Sequence, residues 1–219
     1  MNRRIVVTED GSPTIYVPGL KEHYHSIHGA LQESRHVFIS NGLDLIPEGP
    51  LSVLEIGFGT GLNALLTFSK LAGSGRLLYY EAWEKYPLTP EEIRQLDLNQ
   101  SIEIDPGLFD SIQLAPWNQE FRISQEATIH KISGDILGFR SDRFFDLVYF
   151  DAFGPDAQPD LWTEEVFRRL GECMKPGAIL STYSVKGMVR RNLKAAGFEV
   201  KKVPGPPGKR EITVAFRNT

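Results

Sequence analysis

Apolar and polar positions along this chain follow two rhythms that alternate. Leu51, Val53, Leu54 and Ile56 form a short apolar run of strand length, and Leu62 opens a second run, Ala64-Leu-Leu-Thr-Phe68, of helical character. Gly57, Gly59 and Gly61 lie between them, so the stretch predicts a strand, a tight turn and a helix. The alternation then repeats. Arg76 to Trp83 predicts a second strand, and Pro90 to Leu96 a helix capped by Thr89. Ala127 to Ser133 predicts a third strand, and Phe144 to Asp151 a fourth that is almost wholly apolar, as a central parallel strand should be. Glu164 to Cys173 reads as a helix, Ala178 to Tyr183 as a strand, Lys186 to Ala196 as a basic helix, and Phe198 to Val203 and Glu211 to Phe216 as two last strands. Residues 98 to 125 have no firm period and predict irregular or short helical structure. Near the N-terminus, Arg4-Ile-Val-Val-Thr8 and Thr14-Ile-Tyr-Val17 flank Asp10-Gly11 as a hairpin would. The expected architecture is α/β, with a mostly parallel seven-stranded sheet, helices on both faces and a small β-hairpin appendage. The appendage is expected over residues 1–46 and the main domain over 47–219.

The glycine turn carries the first chemical clue. A dinucleotide fingerprint spaces its glycines G-x-G-x-x-G, over a pyrophosphate. Here the pattern is E-x-G-x-G-x-G, from Glu55 to Gly61. That pattern resembles the class I S-adenosylmethionine (SAM) methyltransferases of Rossmann-like fold. The resemblance implies SAM as cofactor, with Glu55 attracting its ammonium side directly or through water, and Asn63 close by. In such a unit an acid ending the second strand grips the ribose hydroxyls. Glu81 and Glu84 both qualify, and Glu84 is preferred because it sits where the strand meets its turn. Asp135 and Ile136 end the third strand and suit the adenine, the carboxylate accepting from the exocyclic amine and Ile136 packing on the ring. The bland alternative is an acid that caps the next turn. Asp151 is delivered to the carboxyl edge by the fourth strand, ahead of the loop Ala152-Phe-Gly-Pro155. Asp151, Phe153 and Pro155 are therefore candidates to face the reacting methyl.

Composition narrows the picture without naming a substrate. Hydrophobic residues at 41% and charged residues at 24% are globular values and make wholesale disorder a poor reading. The single cysteine, Cys173, excludes an internal disulfide and a cysteine zinc cluster. No signal peptide or long apolar run is evident, so a cytoplasmic location without membrane contact is expected. His23, His25 and His28 cluster, but they lack a metal-binding spacing, and no metal is expected. The net charge of −4 argues mildly against a general nucleic-acid binder, yet the charge is segregated. Residues 186–210 hold eight basic residues against Glu199 and so carry +7, leaving −11 for the rest. Lys186, Arg190, Arg191, Lys209 and Arg210 are candidate contacts to a polyanion, with a solvated helix face as the alternative.

Several stretches taken together resemble the methyltransferase part of the MnmC family, bacterial enzymes that finish a modified wobble uridine in tRNA. They include Tyr24 to Ser26, Glu33 to Leu43, Glu84-Lys-Tyr-Pro-Leu88, Gly134-Asp-Ile136, Phe150-Asp-Ala-Phe-Gly-Pro155, Pro159-Asp-Leu-Trp-Thr163, Gly187 to Leu193 and Gly208-Lys-Arg-Glu211. The resemblance implies methyl transfer to the primary amine of 5-aminomethyl-2-thiouridine. It makes Glu55, Gly57, Gly59, Gly61, Glu84 and Asp135 cofactor-site candidates, with Asp151 at the methyl donor. Tyr24, Phe153 and Tyr183 are candidates to stack on a splayed base, and the basic segment to hold anticodon phosphates. The family commonly adds a flavin oxidase after the methyltransferase, whereas this sequence ends at Thr219. A separate oxidase or aminomethyl-forming partner is therefore expected. Two other readings compete: an aminopropyltransferase of the spermidine-synthase kind, and a SAM-binding subunit without turnover.

Overall fold

The computed structural model describes residues 2–96, 98 and 104–218. The first hairpin forms as its pattern predicts, with β1 (Arg4–Val7) paired antiparallel to β2 (Pro13–Val17) around the Asp10-Gly11 turn. A two-residue strand, β3 (Glu22–His23), adds to β2 and completes a three-stranded sheet. A short helix, α1 (Ala30–Ser34), runs on into a π-helical turn over Arg35–Ser40. Val37, Phe38 and Ile39 are buried there, against the main domain.

The main sheet contains β4 (Leu51–Ile56), β5 (Leu78–Glu84), β6 (Gln119–Arg122), β7 (Ala127–Ser133), β8 (Phe145–Phe150), β9 (Met174–Thr182), β10 (Phe198–Pro204) and β11 (Glu211–Arg217). Their order across the sheet is β10-β11-β9-β8-β4-β5-β7-β6. From β9 to β7 all pairs are parallel, while β11, β10 and β6 are antiparallel additions at the two edges. The fold class is the expected one, with eight strands in place of seven. The extra strand, β6, and a helix, α4 (Pro106–Leu114), lie in the segment expected to be irregular; the part of that expectation on 99–103 falls outside the described residues. All four β6 residues are exposed, so they carry no burial pattern that would mark a strand.

The remaining helices are α2 (Leu62–Leu71), α3 (Pro90–Leu96), α5 (Glu164–Glu172) and α6 (Gly187–Ala195). Strand alternation divides the core in two. Leu51 and Val53 of β4 join a cluster with α2 and the π-helical turn, while Leu54 and Ile56 join the opposite cluster under α5 and α6. The connections reverse direction beside β4: the chain moves outward through β5 and β7, then returns to place β8 on the other side. Open α/β sheets bind ligands at such a switch point, outside the carboxyl ends of their strands. Among the described residues no helix is long and apolar enough to cross a membrane.

Candidate active site

A cavity of about 650 Å³ opens at that switch point. Its floor is the glycine turn. Gly57, Gly59 and Gly61 all have positive φ, at 89°, 53° and 77°, a conformation that side chains disfavour. Space forbids a side chain as well, since a Cβ on Gly57 would lie 2.6 Å from the Asp151 carbonyl oxygen. One on Gly59 would lie 3.1 Å from the Tyr24 ring. Gly57 and Gly59 line the cavity, whereas Gly61 lies beneath it at the start of α2, against Phe58 and Gln113.

Glu84, at the end of β5, lines the cavity and fastens the turn, its Oε2 accepting from Gly59 N at 3.0 Å. Its Oε1 accepts from Tyr86 N at 2.8 Å. The competing acid, Glu81, is buried on the opposite face of β5, where it accepts from Tyr79 and from Trp83 Nε1 at 2.9 Å. Asp135 lines the cavity and also caps the turn that follows, accepting from Leu137 N at 3.0 Å. Lys85 lies 2.7 Å from its other oxygen and holds its carboxyl below the usual range. Ile136 is buried in the wall beside it.

Glu55 corrects its expected position. It shares strand parity with Leu51 and Val53, so its side chain turns under α2 and is fully buried, outside the cavity wall. Its oxygens accept from Asn63 Nδ2 at 3.0 Å and from the Tyr80 hydroxyl at 2.9 Å. Burial pushes its carboxyl up to about 8. Direct attraction of a ligand ammonium is therefore not its geometry. The other hydrogen of Asn63 Nδ2 goes to Asp151 Oδ2 at 2.8 Å, while Asn63 Oδ1 is buried without a partner. Asn63 thus joins the acid under the turn to the acid in the cavity. Burial also pushes the Asp151 carboxyl well above the usual range, opposed by its bond from Asn63.

Aromatic side chains also wall the cavity, Tyr24 lying against Gly59 of the turn. Tyr24 and Phe153 meet edge to face at 5.1 Å, and the Tyr183 hydroxyl donates to Ala152 O at 2.8 Å. Here the N-terminal appendage and the turn between β10 and β11 close on each other. Lys209 reaches in from that turn, pairs with Glu33 of α1, and places Nζ 4.5 Å from the centre of the Tyr183 ring. The other Glu33 oxygen accepts from Ser26 N at 2.7 Å. Glu33 was not singled out from the sequence, and a buried acid on a short helix gives no local signal.

The rest of the basic segment divides. Arg190 is not a free cation: it donates to Thr213 and to Glu211, at 3.1 and 2.8 Å, and ties α6 to β11. Lys186 pairs with Asp156. Arg191 and Arg210 are exposed, and Arg210 lines a groove adjoining the cavity beside Gly154 and Pro155. The histidines are engaged separately. His23 packs on Tyr16 at a tilt, half-buried His25 meets Thr14 at 2.9 Å and is held down to about 4 by desolvation, and His28 meets Glu9 at 3.0 Å. Another residue the sequence did not flag is Lys131. It is buried, its Nζ donates to the carbonyls of Ile112 and Gln113, and burial lowers it to about 8. Gln113 in turn donates to Thr60 O at 2.8 Å, so the end of α4 is fastened to the glycine turn.

A family model described as S-adenosyl-L-methionine-dependent methyltransferase matches residues 110–218. A curated relative from Chromobacterium violaceum, the tRNA 5-methylaminomethyl-2-thiouridine biosynthesis bifunctional protein MnmC, is 35% identical over 95% of this chain and 34% of its own length. The family-model match runs from α4 to the end of β11 and so takes in the second half of the chain. The resemblance to the methyltransferase part of MnmC is borne out, and the chain spans about a third of the length of the curated relatives it matches. A crystal structure of MnmC2 from Aquifex aeolicus shares the fold with a TM-score of 0.78, at 24% identity over 98% of this chain and 70% of that one. Spermidine synthase from Thermotoga maritima shares the fold more distantly, with a TM-score of 0.51 and 16% identity over 98% of this chain and 69% of that one. The cavity fits the methyltransferase cofactor on three counts. Gly57 leaves no room for a Cβ beside the Asp151 main chain, so the turn packs tightly against the end of β8; the Glu84 carboxylate edges the cavity; and Asn63 Oδ1 is a buried acceptor still unused.

Proposed function

We propose that this methyltransferase transfers the methyl of SAM to the primary amine of 5-aminomethyl-2-thiouridine at the wobble position of tRNA. One observation carries the reading: Asp151 stands between the glycine turn and the aromatic wall of Tyr24, Phe153 and Tyr183, with its carboxyl steered by Asn63. SAM supplies an electrophilic sulfonium methyl. Glu84 would hold its ribose, Asp135 and Ile136 its adenine, and Gly57, Gly59 and Asn63 its amino-acid part. Glu55 contributes from below, through Asn63. The acceptor amine must be neutral to attack, and Asp151 accepts its hydrogen bond, orients its lone pair and stabilises the ammonium that develops. Tyr24, Phe153 and Tyr183 offer faces and edges for an unstacked base, as single-stranded RNA sites do. Exposed Arg191 and Arg210 suit anticodon phosphates, and Lys186 can contribute once it exchanges its bond to Asp156.

The names of the relatives support the tRNA substrate, and a tRNA enzyme would act in the cytoplasm. The free amine would come from an oxidase or other aminomethyl-forming activity. The test supplies SAM with a labelled methyl to tRNA bearing the free amine, to tRNA lacking it, and to putrescine, followed by nucleoside analysis. Label is expected in the 5-methylaminomethyl nucleoside alone; label in putrescine alone would overturn the assignment.

A further inference from the structure

We propose that Lys209 is the charge-balancing residue of the acceptor site: its ammonium stands beside the incoming amine and disfavours the amine's protonated form. The inference rests on the function proposed above and gives Lys209 a role other than phosphate binding. Its position is fixed from three sides. The backbone N–H of Lys209 donates to Pro206 O at 2.9 Å, and its side chain is held by Glu33 and lies over Tyr183. The Tyr183 hydroxyl is bonded to the carbonyl of Ala152, the residue after Asp151. Lys209 and Asp151 line the same cavity and lie within each other's electrostatic reach.

The need for such a cation follows from the chemistry. Methyl transfer forms an N–C bond and breaks a C–S bond, turning a neutral amine and a sulfonium into an alkylammonium and a thioether. The incoming amine must therefore have released its proton to solvent first, because an ammonium has no lone pair to attack with. Several groups face Lys209 Nζ or share its wall. Glu33 comes from α1, Tyr183 follows β9, Asp151 follows β8, and Glu22 of β3 lines the same wall. His28 packs on Gly208, and Arg210 and Glu211 follow in the chain. Removing Lys209 would take away the cation that pairs with Glu33 on this wall, and the balance around the amine would shift toward its unreactive ammonium form. With Lys209 in place the Glu33 carboxylate is offset by its partner. The same arrangement explains why a lysine sits inside a cavity meant for an amine, where a simple phosphate contact would sit outside.

The test is the pH profile of single-turnover methylation at saturating SAM and tRNA. Lys209→Gln should move the acid limb up by about one pH unit, a tenfold loss below the limb, with the rate recovering at high pH. Lys209→Arg should restore most of the position of the limb. Glu33→Gln, which removes an opposing carboxylate, should move it the other way, and this second variant tests the idea even where Lys209→Gln folds poorly. An unmoved limb in the glutamine variants, with only a salt-sensitive rise in KM, would return Lys209 to phosphate binding and overturn the inference alone. Wild-type protein that methylates no amine-bearing tRNA at any pH would overturn the functional reading and this inference with it.

Discussion

The two ends of the cavity are built in opposite ways. The cofactor end is made of short contiguous pieces at the tips of adjacent parallel strands: residues 57–63 after β4, Glu84 ending β5, Asp135 after β7. Much of its work is done by backbone, through positive φ and close approach. The acceptor end is assembled from side chains brought together over long distances in the sequence. Tyr24 and Glu33 come from the appendage, Phe153 and Tyr183 from loops after β8 and β9, and Lys209 from a turn 176 residues beyond its partner Glu33. One end is therefore generic to a cofactor, and the other can differ among enzymes that share the fold.

The contrast breaks most sharply at Asp151. Asp151→Ala should lower single-turnover methylation about a hundredfold or more while leaving SAM affinity within a few-fold. Glu84→Ala should do the reverse, weakening SAM binding by calorimetry with little change in the rate at saturation. Equal losses of affinity and rate in both variants would erase the division. A middle-sized effect comes from Glu55, beneath both ends. Its native carboxyl lies at about 8, above its unfolded value, so the folded state binds more protons and stability falls as pH rises between the ordinary carboxyl range and about 8. Glu55→Gln should flatten that decline, which has a slope of up to about 1.4 kcal/mol per pH unit, in urea unfolding followed from pH 5 to pH 9. The smallest effect separates the basic residues. Arg191→Gln and Arg210→Gln should each reduce the salt dependence of tRNA binding by about one unit of slope. Arg190→Gln should leave that slope alone and lower the melting temperature, because Arg190 is spent on Thr213 and Glu211.

What the sequence disclosed follows the same division. The glycine spacing, the strand ends carrying Glu84, Asp135 and Asp151, and the order of strands and helices were all legible, because backbone periodicity and turn chemistry are local. β6 was missed because an exposed edge strand needs no apolar alternation. Glu55 was misplaced although the signal was present: counting by twos from Leu51 and Val53 puts it on the face covered by α2. Arg190 and Lys209 were counted as charges, and only the fold reveals which acid each one meets. Glu33 and Lys131 had no local mark, since their partners are a distant lysine and two main-chain carbonyls.

The bond between Glu33 and Lys209 also orders events in time. Residues 51–151, which carry the glycine turn, Glu84, Asp135 and Asp151, can pair their parallel strands while later segments are still being synthesised. Closing the acceptor end must wait for β11, which inserts between β9 and β10 and draws the Lys209 turn down onto α1. A nascent chain would thus acquire the glycine-turn end of the cavity before it acquires the end walled by Lys209 and Glu33.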